Sequence, residues 1–250
     1  MDGLFINEIR IDWNVIDSEC YIRGIDALSR LDRLEFDSPI TIFAGENGSG
    51  KSTLLEAMAV ASGFNPEGGT KNYRFSTFDS HSELEAAMTV VRGHRRERSG
   101  YFLRAESFYN VATKEVEYAE LARLESVRSV PERLHERSHG ESFLATAQRH
   151  LRPDGLYFLD EPEAALSPQM QLTLLSEIYG CARKGAQFFI VTHSPILSGL
   201  PDATILSFDG GEIHRCTYEE TSSYRITKLF INNRDQLLRQ LLDEQNPVDK

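Results

Sequence analysis

A glycine-rich stretch near the N-terminus constrains the fold more than any other feature of the chain. Residues 45–53 read Gly-Glu-Asn-Gly-Ser-Gly-Lys-Ser-Thr and directly follow an apolar run, residues 40–44. The stretch matches the pattern G-x-x-x-x-G-K-[ST], which joins a buried strand to the first turn of a helix. Its fixed positions are filled by Gly45, Gly50, Lys51 and Ser52. The pattern predicts an α/β fold in which a strand, a turn and a helix follow one another.

The chemistry of this stretch favours anionic phosphates. Its glycines allow a positive φ, so that successive backbone N–H groups turn inward and form a concave nest at a helix N-terminus. The Lys51 ammonium adds a positive charge, the Ser52 hydroxyl can bind Mg²⁺, and Thr53 is placed to contact the α-phosphate. We therefore predict a site for a nucleoside triphosphate formed by Gly45, Glu46, Asn47, Gly48, Ser49, Gly50, Lys51, Ser52 and Thr53.

Two adjacent carboxylates end a second apolar run. Residues 155–159 are Gly-Leu-Tyr-Phe-Leu, and Asp160 and Glu161 follow directly. In parallel α/β sheets, ligands bind beyond the carboxyl ends of the strands, so both side chains are expected at the phosphate site. We expect Asp160 to hold Mg²⁺ together with Ser52, and Glu161 to orient or deprotonate the attacking water.

A third apolar run, residues 187–191, ends in Thr192-His193-Ser194. A lone histidine is more often structural, but the end of a strand in such a sheet is a ligand position. This position favours a hydrogen bond from His193 to the γ-phosphate. No other histidine of the chain has a comparable position.

The composition excludes several classes of protein. A formal net charge of −11 argues against a surface that attracts nucleic acid or anionic membrane over its whole extent. Cys20, Cys181 and Cys216 are far apart in the sequence, which favours neither a disulfide framework nor a zinc site. The first residues lack the basic region and long apolar run that are typical of a signal peptide, and no stretch approaches the roughly 20 apolar residues of a membrane helix. We therefore expect a cytoplasmic protein without membrane contact.

The remaining chain predicts smaller elements around the site. In chain order they are a strand over 4–12 paired with 13–21, a helix over 51–61, a surface loop over 64–82, a hairpin of strands 84–91 and 101–105, a final hairpin over 204–217 and a C-terminal amphipathic helix. The turn between strands 84–91 and 101–105, residues 92–100, carries four arginines and a histidine. Two interpretations of this turn stay open, a solvated tip or a contact for nucleic acid or an acidic partner.

Taken together, these motifs resemble those of the ATP-binding-cassette class of ATPases over nearly the whole chain. The phosphate loop, Ser138-His139-Gly140-Glu141, Asp160-Glu161 and His193 stand in the order of that class. The resemblance implies a single P-loop domain over 1–250, with a mostly parallel core sheet, an N-terminal antiparallel β part and a short helical lobe inserted at about 107–150. It also implies a homodimer, or a pseudo-symmetric dimer with a related chain, that sandwiches ATP. Residues 138–141 of one subunit would then bind the γ-phosphate held by the other.

The chain departs from the pattern of that class at three places. The signature loop is typically L-S-G-G-Q/E, whereas here Arg137 and His139 replace the leucine and the first glycine. Ser167 replaces the acidic residue of the loop that crosses the dimer. Transporter members also have a metal-binding glutamine between the phosphate loop and the signature, and here Glu106 is the candidate substitute as a metal ligand.

Within the class, residues 45–57 and 160–167 are more similar to the ATPase heads of chromosome-maintenance, recombination-repair and overcoming-lysogenization-defect proteins than to transporters. The resemblance implies Mg²⁺-dependent ATP hydrolysis that drives dimerisation in DNA repair, genome maintenance or phage defence, with DNA contact left open. One alternative is a slow nucleotide-gated switch that acts on a partner nuclease or toxin. Another is the nucleotide-binding subunit of a transporter, against which the missing glutamine argues.

Overall fold

The computed structural model describes residues 3–71, 83–108 and 139–243. The strands in these ranges are β1 (Ile6–Ile11), β2 (Arg33–Glu35), β3 (Ile40–Ala44), β4 (Met88–Arg92), β5 (Ser99–Arg104), β6 (Gly155–Asp160), β7 (Gln187–Val191), β8 (Thr204–Ser207) and β9 (His214–Cys216). The helices are α1 (Asp26–Ser29), α2 (Lys51–Ala61), α3 (Leu84–Ala87), α4 (His139–His150), α5 (Pro168–Ala182) and α6 (Ser222–Asp243). Short 3₁₀ turns connect several of them.

The larger sheet has six strands in the order β5-β6-β7-β3-β8-β9. The first five are parallel, and β9 pairs antiparallel with β8 at one edge. Every residue of β3, β6 and β7 is buried, because both faces of the sheet are covered. This is the predicted α/β fold with a mostly parallel core sheet.

Alternate residues of β3 divide between the two faces of this sheet. Phe43 belongs to the apolar cluster that contains Leu54 of α2. Ile42 belongs to a second cluster that contains Phe143 of α4 and Ile178 of α5. A continuous apolar run therefore fills two cores at once, which is why β3 shows no polar alternation.

The smaller sheet is antiparallel and has three strands in the order β2-β1-β4. It packs on the α2 side, since Ile6, Ile9 and Met88 belong to the cluster of that face. The side chain of Gln187 at the start of β7 joins the two sheets. Its Oε1 accepts the backbone N–H groups of Phe5 and Ile6, each at 2.9 Å, and its Nε2 donates to the carbonyl of Ile6. The antiparallel N-terminal part is thus fixed to the parallel core.

Two predicted strand pairings are wrong. Residues 84–91 and 101–105 do not form a hairpin, since 84–87 is helical, β4 pairs with β1 and β5 pairs parallel with β6 in the other sheet. Residues 13–21 do not pair back on β1 either, because β2 and β4 occupy its two edges. This segment is instead held as turns by Arg23, whose guanidinium donates to the carbonyls of Trp13, Ile16 and Asp17.

Most other elements agree with the sequence. The predicted surface loop over 64–82 is an exception, since Phe64 and Asn65 at its start are buried. The helix over 51–61, the strands before Asp160 and His193, the final hairpin as β8 and β9, and the C-terminal helix are confirmed. Residues 72–82 of the predicted loop and 109–138 of the predicted lobe lie outside the described residues. In the ranges that are described, no helix is long and apolar enough to cross a membrane.

Candidate functional site

The phosphate loop leaves the carboxyl end of β3 and enters α2. Gly45, Gly48 and Gly50 have φ values of 141°, 78° and 95°, in the region that favours glycine. Gly50 also packs closely, because a Cβ there would lie 2.8 Å from Ile25 and 2.9 Å from Leu28. The segment before β2 therefore covers the loop, and only glycine fits at this position.

The Lys51 side chain lies over this loop. It is buried, and its Nζ donates to the carbonyl of Glu46 at 2.6 Å and to Ser49 Oγ at 3.3 Å. Burial lowers the pKa of the ammonium, and the carboxylates of Glu161 and Asp209 oppose that shift only in part. Phosphate oxygens would give this cation the partners that compensate a buried charge.

Ser52 and Asp160 come together at the edge of the sheet. The Ser52 hydroxyl donates to Asp160 Oδ1 at 2.8 Å, although 108 positions separate them in the sequence. Burial raises the pKa of Asp160 to about 6, while the hydrogen bond from Ser52 and the charge of Arg104 act against this shift. The carboxyl group is thus ionised at neutral pH and loses its charge in mildly acidic solution.

These two oxygen groups fit Mg²⁺. A hydroxyl and a carboxylate are ligands of the hard type that Mg²⁺ prefers, and this ion keeps several waters and phosphate oxygens in its shell. Among the described residues, no group of three or more His, Cys, Asp or Glu side chains could hold a metal by itself. A metal at Ser52 and Asp160 would therefore depend on the nucleotide for further ligands.

Glu161 directs its carboxylate outward from the same edge. Its backbone is left-handed, with φ 48° and ψ 49°, and its N–H donates to the carbonyl of Val191 at 3.0 Å. Non-glycine residues in this region are strained, and such strain concentrates at functional sites. The side chain is 44% exposed, and its Oε1 lies 3.7 Å from His193 Nε2. The structure therefore brings the two predicted catalytic side chains together.

Glu163 holds the turn that carries His193. Its Oε1 accepts the backbone N–H groups of His193 and Ser194. Within the described residues, neither Glu163 Oε2 nor His193 Nε2 has a hydrogen-bond partner, although both atoms are buried. Glu163 is not among the residues predicted from the sequence, and its signal there is the third acid of the run Asp-Glu-Pro-Glu.

A cavity of about 410 Å³ lies beside this carboxylate edge and is lined by Ser52, Arg104, Ala105, Glu106, Asp160, Glu161, Ala164 and Ala165. Glu106, the candidate metal ligand, is 91% exposed, and its Oε2 lies 4.0 Å from Arg104 Nη2. Arg104 itself is largely buried and ion-paired with Glu56 at 2.6 Å. The sequence analysis missed Arg104, because a single arginine at the end of a strand has no pattern of its own.

The structure describes only part of the signature. Ser138 and the side chain of His139 lie outside what the structure describes, whereas Gly140 and Glu141 form the first turn of α4. A Cβ at Gly140 would lie 2.8 Å from Met170 Sδ and 2.9 Å from the carbonyl of Ala165. Neither Gly140 nor Glu141 lines the cavity at Ser52 and Asp160.

Asp209 is another residue that the sequence analysis missed. Its Oδ1 accepts the backbone N–H of Glu46 at 2.8 Å, and its Oδ2 accepts the Ser222 hydroxyl at 3.0 Å. One carboxylate thus connects the phosphate loop with the first residue of α6. In the sequence, Asp209 belongs to the turn Asp-Gly-Gly of the last hairpin. Such a turn does not indicate a contact with the phosphate loop.

The basic turn is partly neutralised by its own surroundings. Arg92 pairs with Glu97 at 3.2 Å, and Arg95 pairs with Asp154 at 2.5 Å. The Arg95 guanidinium also lies over the ring of Phe5. Arg96 and Arg98 are exposed. The surface charge of this turn is therefore smaller than the sequence indicates.

The family of the chain follows from its N-terminal half. A family profile described as "AAA domain" matches residues 19–145, which span the phosphate loop. The chain belongs to the AAA-domain family. It is an ATPase. This match confirms the resemblance to ATPases that the sequence motifs indicated. A second profile, described as "AAA domain, putative AbiEii toxin, Type IV TA system", matches residues 141–199 of this AAA-domain ATPase. These residues include the carboxylates Asp160 and Glu161 and also His193.

The solved structures that match the chain include two with TM-scores below 0.5. The SMC head domain from Thermotoga maritima has a TM-score of 0.45 and 15% identity, covering 85% of this AAA-domain ATPase and 98% of that chain. A metal-chelate type ABC transporter in an inward-facing conformation has a TM-score of 0.42 and 19% identity, covering 80% of each chain. None of the curated proteins matches the sequence.

Proposed function

We propose that this AAA-domain ATPase binds ATP with Mg²⁺ at residues 45–53 and hydrolyses it with Glu161 as the base. The observation that carries the proposal is the 2.8 Å contact between Ser52 and Asp160, with Glu161 next in the chain and 3.7 Å from His193. Hydroxyl, metal-binding carboxylate and candidate base thus share one edge of the sheet. This is the arrangement that phosphoryl transfer to water requires.

Each residue has a role that follows from its position. The backbone N–H groups of the loop and the Lys51 ammonium bind the phosphates, and Ser52 and Asp160 hold Mg²⁺. Bound there, Mg²⁺ would supply positive charge against the β- and γ-phosphate oxygens. Thr53, the next residue of α2, is placed for the α-phosphate.

The reaction is the attack of water on the γ-phosphorus. The Glu161 carboxylate accepts a proton from this water as the new P–O bond forms, and the bond between the γ-phosphorus and the β–γ bridging oxygen breaks. ADP leaves with the electron pair of that bond. His193 lies close enough to Glu161 to orient the carboxylate and to donate a hydrogen bond to the γ-phosphate.

The first test is the Glu161→Gln variant. Removal of the base is expected to lower the rate of ATP hydrolysis about 10²- to 10⁴-fold. ATP binding should persist, because the phosphate loop is unchanged. Glu212→Gln makes the same chemical change at an exposed position and should keep the wild-type rate. A wild-type turnover in Glu161→Gln would contradict the assignment of the base.

We further propose that ATP binding joins two copies of the chain. The described signature residues Gly140 and Glu141 do not line the cavity beside Asp160 of the same chain. The half-exposed Glu161 leaves the edge accessible to the signature of a second copy. Cycles of closure on ATP and opening after hydrolysis would then drive a process in DNA repair, genome maintenance or phage defence.

A second candidate function is a nucleotide-gated switch that acts on a partner nuclease or toxin. It is supported by the second family profile, whose description names a toxin and a type IV toxin–antitoxin system. ATP turnover measured with and without duplex DNA separates the two candidates. Stimulation by DNA supports the first and directs attention to the exposed Arg96 and Arg98. The switch function is supported if ATP turnover is slow, is unchanged by DNA, and rises when one protein captured by the Glu161→Gln variant is added.

A further inference from the structure

Arg104 stands directly beside the metal-binding carboxylate. It is the last residue of β5, and Asp160 is the last residue of β6. The parallel register places the two opposite each other, so that both side chains leave the sheet at its carboxyl edge. The distance from Arg104 Nε to Asp160 Oδ2 is 3.5 Å.

The guanidinium is anchored on its other side by α2. Arg104 Nη1 donates to Glu56 Oε2 at 2.6 Å and to the carbonyl of Pro66 at 2.9 Å. Both side chains of this ion pair are less than one-fifth exposed, with values of 19% for Arg104 and 15% for Glu56. Such a pair in a low-dielectric site has a well-defined geometry, and the planar guanidinium can contact two partners at once.

The two oxygens of Asp160 have different neighbours. Oδ1 accepts the Ser52 hydroxyl, whereas Oδ2 faces Arg104 Nε, a buried donor without a hydrogen-bond partner among the described residues. The carboxylate is therefore oriented between the phosphate-loop helix and a fixed cation. Replacing a group that orients a metal ligand typically lowers the metal affinity by about 10- to 100-fold.

We propose that Arg104 is the positioning residue of the magnesium site. Anchored by Glu56, it holds Asp160 so that Oδ1 faces Ser52 and the metal, and it acts through Asp160 without touching the nucleotide. Arg104, rather than the exposed Glu106, thereby takes over the supporting role at this end of β5. The inference rests on the proposed function, since it presupposes Mg²⁺ at Ser52 and Asp160.

The test measures binding instead of turnover. The affinity of the full chain for a fluorescent ATP analogue is measured with excess Mg²⁺ and with EDTA, and the ratio of the two affinities is the gain from Mg²⁺. For Arg104→Gln, this gain is expected to fall about tenfold or more. The affinity in EDTA should stay within about twofold of the wild type, because the phosphate loop is untouched. An unchanged gain would overturn the proposal.

Two matched variants test whether Arg104 positions Asp160 or only supports the fold. Glu56→Gln removes the charged anchor but leaves the Pro66 carbonyl bonded to Arg104 and the guanidinium beside Asp160, so only part of the gain should be lost. Arg95→Gln removes another partly buried arginine, which pairs with Asp154, and should keep the full gain. A loss in Arg95→Gln as large as that in Arg104→Gln would show that such arginines merely support the fold, and would reject the positioning role.

Arg104→Lys and the wild type provide two further tests. If Arg104→Gln does not fold, Arg104→Lys keeps the charge but cannot span Glu56 and Asp160, and its gain should also fall. An unchanged gain in Arg104→Lys would then overturn the inference. A wild-type chain that binds the analogue in neither condition would instead reject the proposed function, which distinguishes the two failures.

Discussion

Several arginine side chains in the described ranges are held by buried or half-buried carboxylates. The pairs in the described ranges include Arg92 with Glu97, Arg95 with Asp154, and Arg104 with Glu56 and Asp160. A buried carboxylate loses its hydration, and a hydrogen-bonded cation offsets that cost. Removing one partner is therefore expected to destabilise the protein through the charge that remains unpaired.

Glu97 gives a test of this effect with a defined pH dependence. Burial acts to raise its pKa, but the hydrogen bond from Lys71 and the charges of Lys71 and Arg92 hold the pKa below the usual 4.5. A lowered pKa in the folded state contributes stability above the unfolded pKa, and this contribution is lost as the pH falls through the folded value. Glu97→Gln should therefore lower the free energy of unfolding by about 1–3 kcal/mol at pH 7.

The measurement is urea unfolding of both proteins at several pH values. The difference between wild type and Glu97→Gln should shrink below pH 4.5 and vanish in stronger acid, where Glu97 is protonated in both states. Glu212→Gln, at an exposed position, serves as the control and should show no such trend. A difference that does not change with pH would exclude the ion pairs as its cause.

At the scale of elements, the junction between the two sheets depends on one polar side chain. Gln187 is buried and bonds three backbone groups of β1 and the residue before it, through Phe5 N, Ile6 N and Ile6 O. A hydrophobic side chain of similar size would leave these groups buried without partners. Because each such group costs about 1–3 kcal/mol, the junction is sensitive to this position.

Gln187→Leu is accordingly expected to lower the free energy of unfolding by about 2–5 kcal/mol. Gln169→Leu makes the same change at an exposed position of α5 and should remain within about 0.5 kcal/mol of the wild type. Denaturant unfolding followed by circular dichroism compares the two. Equal stability of the two variants would mean that Gln187 does not secure the junction.

At the scale of the whole molecule, we propose that each reaction site is completed by a second copy of the chain. The phosphate loop, Asp160 and Glu161 share one edge, and Gly140 and Glu141 begin α4 beyond the residues that line the cavity there. A second copy in head-to-tail arrangement would bring the missing half to each site. Association should then depend on ATP and be longest-lived when hydrolysis is blocked.

The Glu161→Gln variant should therefore elute as a dimer on a sizing column with ATP and Mg²⁺, and as a smaller species without nucleotide. Lys51→Ala in the same background removes the phosphate-binding ammonium and should abolish the ATP-dependent shift. Light scattering on the eluted peaks gives the mass. A Glu161→Gln protein that stays monomeric at saturating ATP would contradict the sandwich.

The sequence by itself determined the local parts of the site. Gly45 and Gly50 need a backbone conformation that few other residues adopt, Lys51 and Ser52 have fixed spacings from them, and fully apolar runs before Asp160 and His193 predict buried parallel strands. These features depend on neighbours in the chain, so spacing and periodicity are enough to find them. The amphipathic pattern of α6 likewise predicted the helix.

The tertiary structure decided which distant elements meet. Strand-forming runs do not specify their partners, and β4 and β5 therefore entered different sheets despite their proximity in sequence. Arg104 and Asp209 acquire their roles only because the fold brings Asp160 and Glu46 to them. These contacts arise from packing between segments far apart in the chain, so the local sequence pattern around each residue does not predict them.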